Sequence, residues 1–471
     1  MGTSNPHLVP NPLWPGAADP GRIPKAGGVL IAARLLLSSD TRDLSPWAYT
    51  NSTPKGGINL SNPLIVGVDV HRKSNAFSLM DNKGQEVADR FSSDNNRPGT
   101  QGFVKQVAQR VTSGDFDAIH IAAEATGWYW WHFFQTLDQD PLLKQWPLEL
   151  YPVNPRLTAN FKKTYTDLDH ADLVDAFVAA DRLRLGRDLP APFHYEECYF
   201  PLRLLSRYHY HLAHALGREK AYCLALLYLK ASEYTRLKPF ANTFGAASRA
   251  VLTEFASIEE IATIDFPDLV EMIDIKGKRR FPDPEDNARK LKQVASDSYC
   301  LPQALNQPVN LVLNLSLKQI AFLEGQIKRI DSAIAQRMAD IPHTLDTIPG
   351  FGPVFSAGII AEIGGIERFN YDQAKVAKFA GLKWKKSSSA DFEADETPLS
   401  RNGNRYLRYY FTEAANSVRM REAEYAAYYD RKSREVRKHQ HKRAIVLTAR
   451  KLVRLVVRLL TTNQPYQARR R

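Results

Sequence analysis

An α/β domain followed by a largely all-α remainder is the fold class this sequence predicts, and three features of its 471 residues carry the prediction. Short β-branched runs alternate with helical periodicities up to about residue 187, the pattern of a mixed sheet covered by helices. Beyond that point apolar residues recur mostly at helical spacing. Ahead of the first run, residues 1–62 are rich in Pro, Gly, Ser and Asn with little periodicity, as in a disordered tail or an over-extended start.

Order should begin near Pro63. The stretch PLIVGVDVHRKSNAFSLMD gives an apolar run closed by an acid, a short turn and a second alternating run, the signature of a β-hairpin. DAIHIAAEATG (Asp117–Gly127) and PLELYPVNP (Pro147–Pro155) read as further buried strands, and a helix follows from Asp169 to about Leu185. These elements make up a first domain over residues 63–187. Residues 188–340 form a helical insert that ends in LSLKQIAFLEGQIKRIDSAIAQRM from Leu315, whose spacing suits a coiled-coil arm acting as spacer or dimer contact. Residues 341–465 read as a small basic helical domain, followed by a basic tail over 466–471. Its opening IPGFGPVFSAGIIAEIGG either offers backbone N–H groups to a phosphate or is a plain turn between packed helices.

Composition is that of a globular protein, with 44% hydrophobic and 24% charged residues. A formal charge of +12 and a pI near 9.4 favour polyanionic partners, nucleic acid foremost, without separating DNA from RNA. Residues 431–460 hold eleven Lys/Arg against one acid, Glu435. Cys198, Cys223 and Cys300 have neither disulfide-framework nor zinc-ligand spacing, which suits a reducing compartment. The apolar stretch GVLIAARLLL (Gly28–Leu37) falls short of the roughly 20 residues that span a bilayer, so a cytoplasmic protein is expected.

The acids point to chemistry. LDHADLVDAF carries Asp169, Asp172 and Asp175 three residues apart, which alone would be a helix N-terminus with a solvated face. Asp69, however, closes an apolar strand, and Glu124 follows the apolar AIHIAA. With Asp172 and Asp175 they suggest four carboxylates converging on one end of a sheet. Like charges that close raise one another's pKa unless cations are present, and two divalent ions bound there can clamp the attacking and leaving oxygens of a phosphodiester.

These residues resemble those of the IS110 family of insertion-sequence transposases, over about residues 63–465. The family's pattern has an aspartate ending the first strand, as in GVDV (Asp69), and a glutamate in an EATG block (Glu124). It also has a D-x-x-D-A helix some eighteen residues after an Asn-Pro pair, here Asn154-Pro155 followed by Asp172 and Asp175. The resemblance implies an RNase H/RuvC-like DEDD domain in which these four acids hold Mg²⁺ or Mn²⁺, leaving Asp169 as the helix-capping acid. It also implies a second, serine-bearing domain. Its pieces are Ile348-Pro349-Gly350, then Phe379-Ala380-Gly381-Leu382, then Arg401–Arg408. The family's nucleophilic serine lies eight residues after the first loop glycine and fourteen before the second, and both counts land on Ser389, from Gly381 and Gly403. Two positions depart from the pattern: Trp384 replaces a proline and Ala390 a glycine, so Ser387 and Ser388 stand as alternative hydroxyls. No base for the serine is evident, while Lys385, Lys386 and Arg401 suit phosphate charge.

The function expected is therefore a DNA recombinase that cuts and rejoins strands through a phosphoserine link. The resemblance further implies a structured guide RNA and a homodimer or homotetramer in which one chain's serine domain completes another's acidic site. Two alternatives stay open: a hydrolytic RuvC-like junction nuclease in which metal-bound water attacks, and an idle nucleic-acid-binding remnant.

Overall fold

The computed structural model describes residues 62–468 apart from 188, 256, 385–387, 390–391, 394–398 and 401–402, so nearly all of the expected N-terminal tail lies outside the described residues. Strands β1 (Pro63–Val70) and β2 (Ser74–Met80) form the expected antiparallel hairpin. A short strand β3 (Phe91–Asp94) extends it on the far side of β2. It is followed by helix α1 (Arg97–Ser113), capped by Asn96, whose side chain accepts from the Gly99 amide. Strand β4 (Ala118–Glu124) lies parallel to β1, and beyond helix α2 (Trp131–Gln139) strand β5 (Leu148–Val153) lies parallel to β4. The mixed sheet runs β3-β2-β1-β4-β5.

Side-chain alternation sorts this sheet into two buried faces. Leu64, Val66, Val68, Ile119, Ile121 and Ala123 point toward α1 and α2, where Phe77, Phe103, Phe133 and Phe134 complete a core. Ile65, Ala122 and Tyr151 point the other way. That second face is covered by helix α4 (Asp172–Leu185), which is reached through helix α3 (Pro155–Lys162). The close approach of α4 depends on Gly67 in the middle of β1: a Cβ there would lie 2.0 Å from the Ala176 carbonyl oxygen and 2.3 Å from the Ala180 nitrogen.

One expectation is corrected here. The helix starts at Asp172 rather than Asp169, and its N-cap is Ala171 in extended conformation, with no capping side chain. Asp169 is an exposed residue of the approach segment. Asp172 and Asp175 both sit in the first turn and satisfy the helix dipole themselves, so no acid further upstream is needed.

After the sheet the chain is helical. Helix α5 (Tyr199–Lys230) runs out, and the small helices α6 (Tyr234–Leu237), α7 (Ala246–Glu254), α8 (Ile258–Thr263), α9 (Phe266–Lys276) and α10 (Pro284–Asp297) form a cap. Helix α11 (Gln303–Met338) then returns antiparallel to α5, as the pairs His209–Asp331, Lys220–Glu324 and Lys230–Asn310 record. The coiled-coil arm anticipated in the sequence thus finds its first partner within its own chain. Leu212, Leu216, Leu227, Leu317, Ile320 and Leu323 fill the seam together with residues of the cap.

The last region wraps around helix α12 (Pro353–Ile363), buried from Ser356 onward. Helices α13 (Gln373–Phe379), α14 (Arg405–Val418), α15 (Ala423–Arg434) and α16 (Gln440–Thr462) surround it, and Leu202 of α5 joins the same core. The turn that enters α12 is packed: a Cβ on Gly350 (φ 89°) would lie 2.9 Å from the Ser417 carbonyl oxygen of α14. No helix among the described residues is long and apolar enough to cross a membrane.

Candidate active site

Asp69 and Glu124 stand one residue beyond the paired Val68 and Ala123 on adjacent parallel strands. Since Val68 and Ala123 face the α1 side, both acids face the α4 side at the same end of the sheet. Gly67 lets α4 descend onto β1, which brings its first turn, with Asp172 and Asp175, to that edge. The structure therefore gathers all four sequence-selected acids.

His71, in the turn of the β1–β2 hairpin, completes the group. Its Nε2 lies 3.1 Å from Asp69 Oδ2 and 3.3 Å from Asp172 Oδ1. One donor atom each from Asp69, His71 and Asp172 falls within 4.8 Å of the others, a set able to hold a metal ion. Asp175 takes a second cation, with Lys162 Nζ donating to its Oδ1 at 2.6 Å. Electrostatics follows from the crowding. Burial, with Asp69 and Asp175 beside it, lifts the Glu124 carboxyl to about 7. Burial, together with Asp175 and Asp172, also raises Asp69, against the pull of His71. Burial opposes charge on His71 itself, but Asp69 and Asp172 together raise it above its ordinary value. Four carboxylates here face one lysine and one histidine, so acids outnumber the cations at hand. Carboxylate oxygens and an imidazole nitrogen fit a divalent cation.

His71 was missed by sequence reasoning. The available signal is its spacing: in a tight hairpin it follows Asp69 by two residues and so returns to the same side of the chain.

Ser389 belongs to a different element. Its backbone forms with Ser388 a two-residue strand, β6, paired with β7 (Phe392–Glu393), Ser389 opposite Phe392. Ser387, Lys385, Lys386 and Arg401 lie outside the described residues. The described residues that flank this segment in sequence are tied to one another. Trp384 bridges Leu399, the Ser400 amide donates to the Lys383 carbonyl at 2.7 Å, and the Asn404 amide donates to the Phe379 carbonyl at 2.6 Å. The two glycines that frame the serine by spacing touch there: a Cβ on Gly403 would lie 2.4 Å from the Gly381 nitrogen. Asn404 caps α14, accepting from the Tyr406 and Leu407 amides, and its Nδ2 donates to Glu362 Oε2 at 2.6 Å. Glu362, buried in α12, is gripped by Arg207 of α5 through Nε and a terminal nitrogen at 2.6 and 2.8 Å.

Two family models match the chain, one over each of these regions. A family model described as a transposase, the DEDD transposase of IS110 type, matches residues 66–230, which hold the carboxylates. A second, described as transposase of the IS116/IS110/IS902 family, matches residues 342–430, which hold the serine hairpin. A curated relative, the insertion element IS116 uncharacterized 44.8 kDa protein of Streptomyces clavuligerus, is 26% identical over 268 residues. The alignment covers 56% of this chain and 65% of the relative, a little under two thirds of its length. With both family models matched in order along one polypeptide, the chain belongs to the IS110 family of transposases.

Proposed function

We propose that this transposase cuts and rejoins DNA with two separate pieces of machinery, the acidic group at the sheet edge and a serine hydroxyl on the β6–β7 hairpin. The observation that carries the proposal is the approach of Asp69, Glu124, Asp172 and Asp175, from three elements, to one sheet edge, with His71 between Asp69 and Asp172. The strand order β3-β2-β1-β4-β5, three antiparallel strands then two parallel ones, supports an RNase H/RuvC-like reading of residues 63–187.

Asp69, Glu124, Asp172 and Asp175, with His71 at hand, would hold Mg²⁺ or Mn²⁺, which when bound polarises a phosphodiester and offsets charge on its oxygens. Ser389 Oγ forms a bond to phosphorus as the bond from phosphorus to one deoxyribose oxygen breaks, and that oxygen leaves with a proton. Attack by a hydroxyl of another strand end reverses the exchange and frees the serine. The packing of Gly403 on Gly381 and the tie of Asn404 to Glu362 support a fixed anchor for the serine segment. The proposal keeps the family's further implications: a structured guide RNA, and an assembly of two or four chains in which the serine of one approaches the carboxylates of another. An outward stripe on the α5–α11 hairpin supports self-association.

The test is chemical. Protein, element DNA and element RNA are incubated with Mg²⁺, denatured and digested. A DNA-linked peptide containing Ser387–Ser389, lost in Ser389→Ala, is expected. Strand cutting without any adduct would establish the hydrolytic nuclease instead. Asp69→Ala and Asp175→Asn should abolish Mg²⁺-dependent cutting, and wild-type cutting by either would sink the metal-site assignment.

A further inference from the structure

The carboxylate group sits beside two exposed turns whose outer residues the proposed cleavage chemistry does not use. Arg72 and Lys73, both exposed, form the tip of the β1–β2 hairpin directly after His71. Across from them, the turn leaving β4 after Glu124 presents Trp128 and Tyr129, which are 47% and 48% exposed. Asn95 ties the two turns together: its amide donates to the Lys73 carbonyl at 2.8 Å, and its side-chain Nδ2 donates to the His71 carbonyl at 2.8 Å and to the Tyr129 carbonyl at 3.1 Å. One side chain thus fixes the spacing between a basic turn and an aromatic turn at the rim of the acidic site.

The aromatic turn is held rigidly although its rings face water. Gly127 takes a left-handed conformation (φ 56°), and the buried Trp130 donates its indole N–H to the Gly127 carbonyl at 3.2 Å. Trp130 is in turn wedged edge-on against Phe134 and Phe193, with ring centroids 5.5 and 5.6 Å away. Trp128 leans edge-on against Phe200 at the foot of α5, 6.0 Å between centroids, which steadies the ring while leaving much of its surface open. Large aromatic rings fixed in water forgo the gain from burial, and they recover it when a flat apolar partner stacks on them.

We propose that these turns form a seat for one unpaired nucleotide next to the scissile phosphate: Trp128 and Tyr129 stack the base, while Arg72 and Lys73 meet the backbone charge. The chemistry of the two sides selects this ligand, because a stacking face and a cationic face on turns tied together by Asn95 match a base and its phosphate. Duplex DNA, with its bases already stacked on one another, offers phosphate but no free ring. The seat has this role only if the carboxylates are the cleavage centre, so its test is made without cleavage.

A single-stranded deoxythymidine oligonucleotide carrying one 5-iododeoxyuridine is irradiated with the full chain in EDTA, and cross-linked peptides are mapped by mass spectrometry. The expected adduct lies on the peptide containing Trp128 and Tyr129. It should persist in Trp128→Phe and fall at least fivefold in the Trp128→Ala/Tyr129→Ala double variant. The double variant should also bind the single strand at least fivefold more weakly, as the strength of base-aromatic stacking requires, and the duplex less than twofold more weakly. Adducts confined to other peptides would overturn the seat. So would equal losses on single strand and duplex, or loss of self-association with an unchanged adduct, which would make the aromatic pair a protein contact. If the double variant fails to fold, the wild-type adduct decides. Since no metal is present, failure here leaves the cleavage assignment standing, and loss of cleavage in Asp69→Ala leaves the cross-link unaffected.

Discussion

At the scale of single residues, two glutamates of the C-terminal region, Glu362 buried and Glu413 half-buried, show how partners decide the state of a carboxyl. Burial works against charge on Glu362, but Arg207 grips both its oxygens and Asn404 donates to one, so its pKa is held below the ordinary value. Removing either partner leaves a buried charge unpaired, so Arg207→Ala or Glu362→Ala should lower unfolding free energy by about 3–5 kcal/mol in urea titrations. A loss under about 1 kcal/mol would mean that water reaches the pair. Glu413 on α14 is the opposite case, since burial lifts it to about 7. Its folded pKa lies above the unfolded one, so the folded state binds the extra proton and Glu413 stabilises at low pH. That contribution is lost as pH rises from about 4.5 through about 7. Between pH 5 and 8 the melting temperature of wild type should fall relative to that of Glu413→Gln, by the equivalent of about 1–3 kcal/mol. Parallel pH profiles would place the proton elsewhere. The charged residues were plain in the sequence but these outcomes were not: Asp69 and Glu124 were legible because a charge at the end of an apolar run is conspicuous, whereas Glu362 looks like any acid within a helix and His71 like any hairpin-turn residue.

At the scale of elements, the hairpin, β4 and β5 were legible from their apolar runs, because strands buried on both faces carry near-continuous β-branched sequence. Strand β3 was not. Its sequence FSSD has half-exposed residues and no run, and it exists because β2 offers it an open edge. The start of α4 was placed three residues early, since acids at helical spacing extend upstream of the first turn and only packing against β1 shows where the helix begins. That packing passes through Gly67, where an added methyl would sit 2.0 Å from the Ala176 carbonyl oxygen. Gly67→Ala must push α4 off the sheet, at a cost of about 1–3 kcal/mol. Because α4 carries Asp172 and Asp175, the same shift should cut Mg²⁺-dependent strand cleavage at least tenfold while circular dichroism stays folded. Wild-type cleavage at an unchanged melting temperature would show that α4 reaches the site without that close approach.

At the scale of the whole molecule, the positive charge has a definite place. Helix α16 buries Leu452, Val453 and Val456 in the C-terminal core, so its amphipathic pattern belongs to packing, while Arg454 and Arg458 stay outside. Arg431, Arg434, Arg437, Lys438 and Lys442 are exposed around the α15–α16 turn. Replacing these five by Gln should flatten the salt dependence of DNA binding by about 0.9 of a log unit for each phosphate that is no longer neutralised. An unchanged slope would mean that the protein meets phosphate on another surface.

The helical hairpin carries the surface that the proposed self-association would use. Along α11, Ala304, Pro308, Leu311, Leu315, Lys318, Phe322 and Gly325 are all exposed and alternate at spacings of four and three, the seam of a two-stranded coil. Leu311, Leu315 and Phe322 are 60%, 56% and 58% exposed, although the opposite face of the helix is sealed by α5 and the cap. On α5, Leu204, Tyr208, His211, Arg218, Tyr222 and Leu229 are exposed as well and fall on the same heptad register, at gaps of four, three or seven. Two largely apolar seams on one hairpin would, if paired with the same seams on a second copy, convert each pair of helices into half of a bundle. The double variant Leu315→Lys/Phe322→Lys places charge in the middle of that seam without entering the intrachain core. If the proposed assembly uses this seam, the variant should sediment as a monomer at concentrations where wild type self-associates, with helical content unchanged by circular dichroism. It should also lose strand rejoining if a serine from one chain serves the carboxylates of another. Sedimentation identical to wild type would show that the seam faces solvent or nucleic acid, and that assembly uses another face.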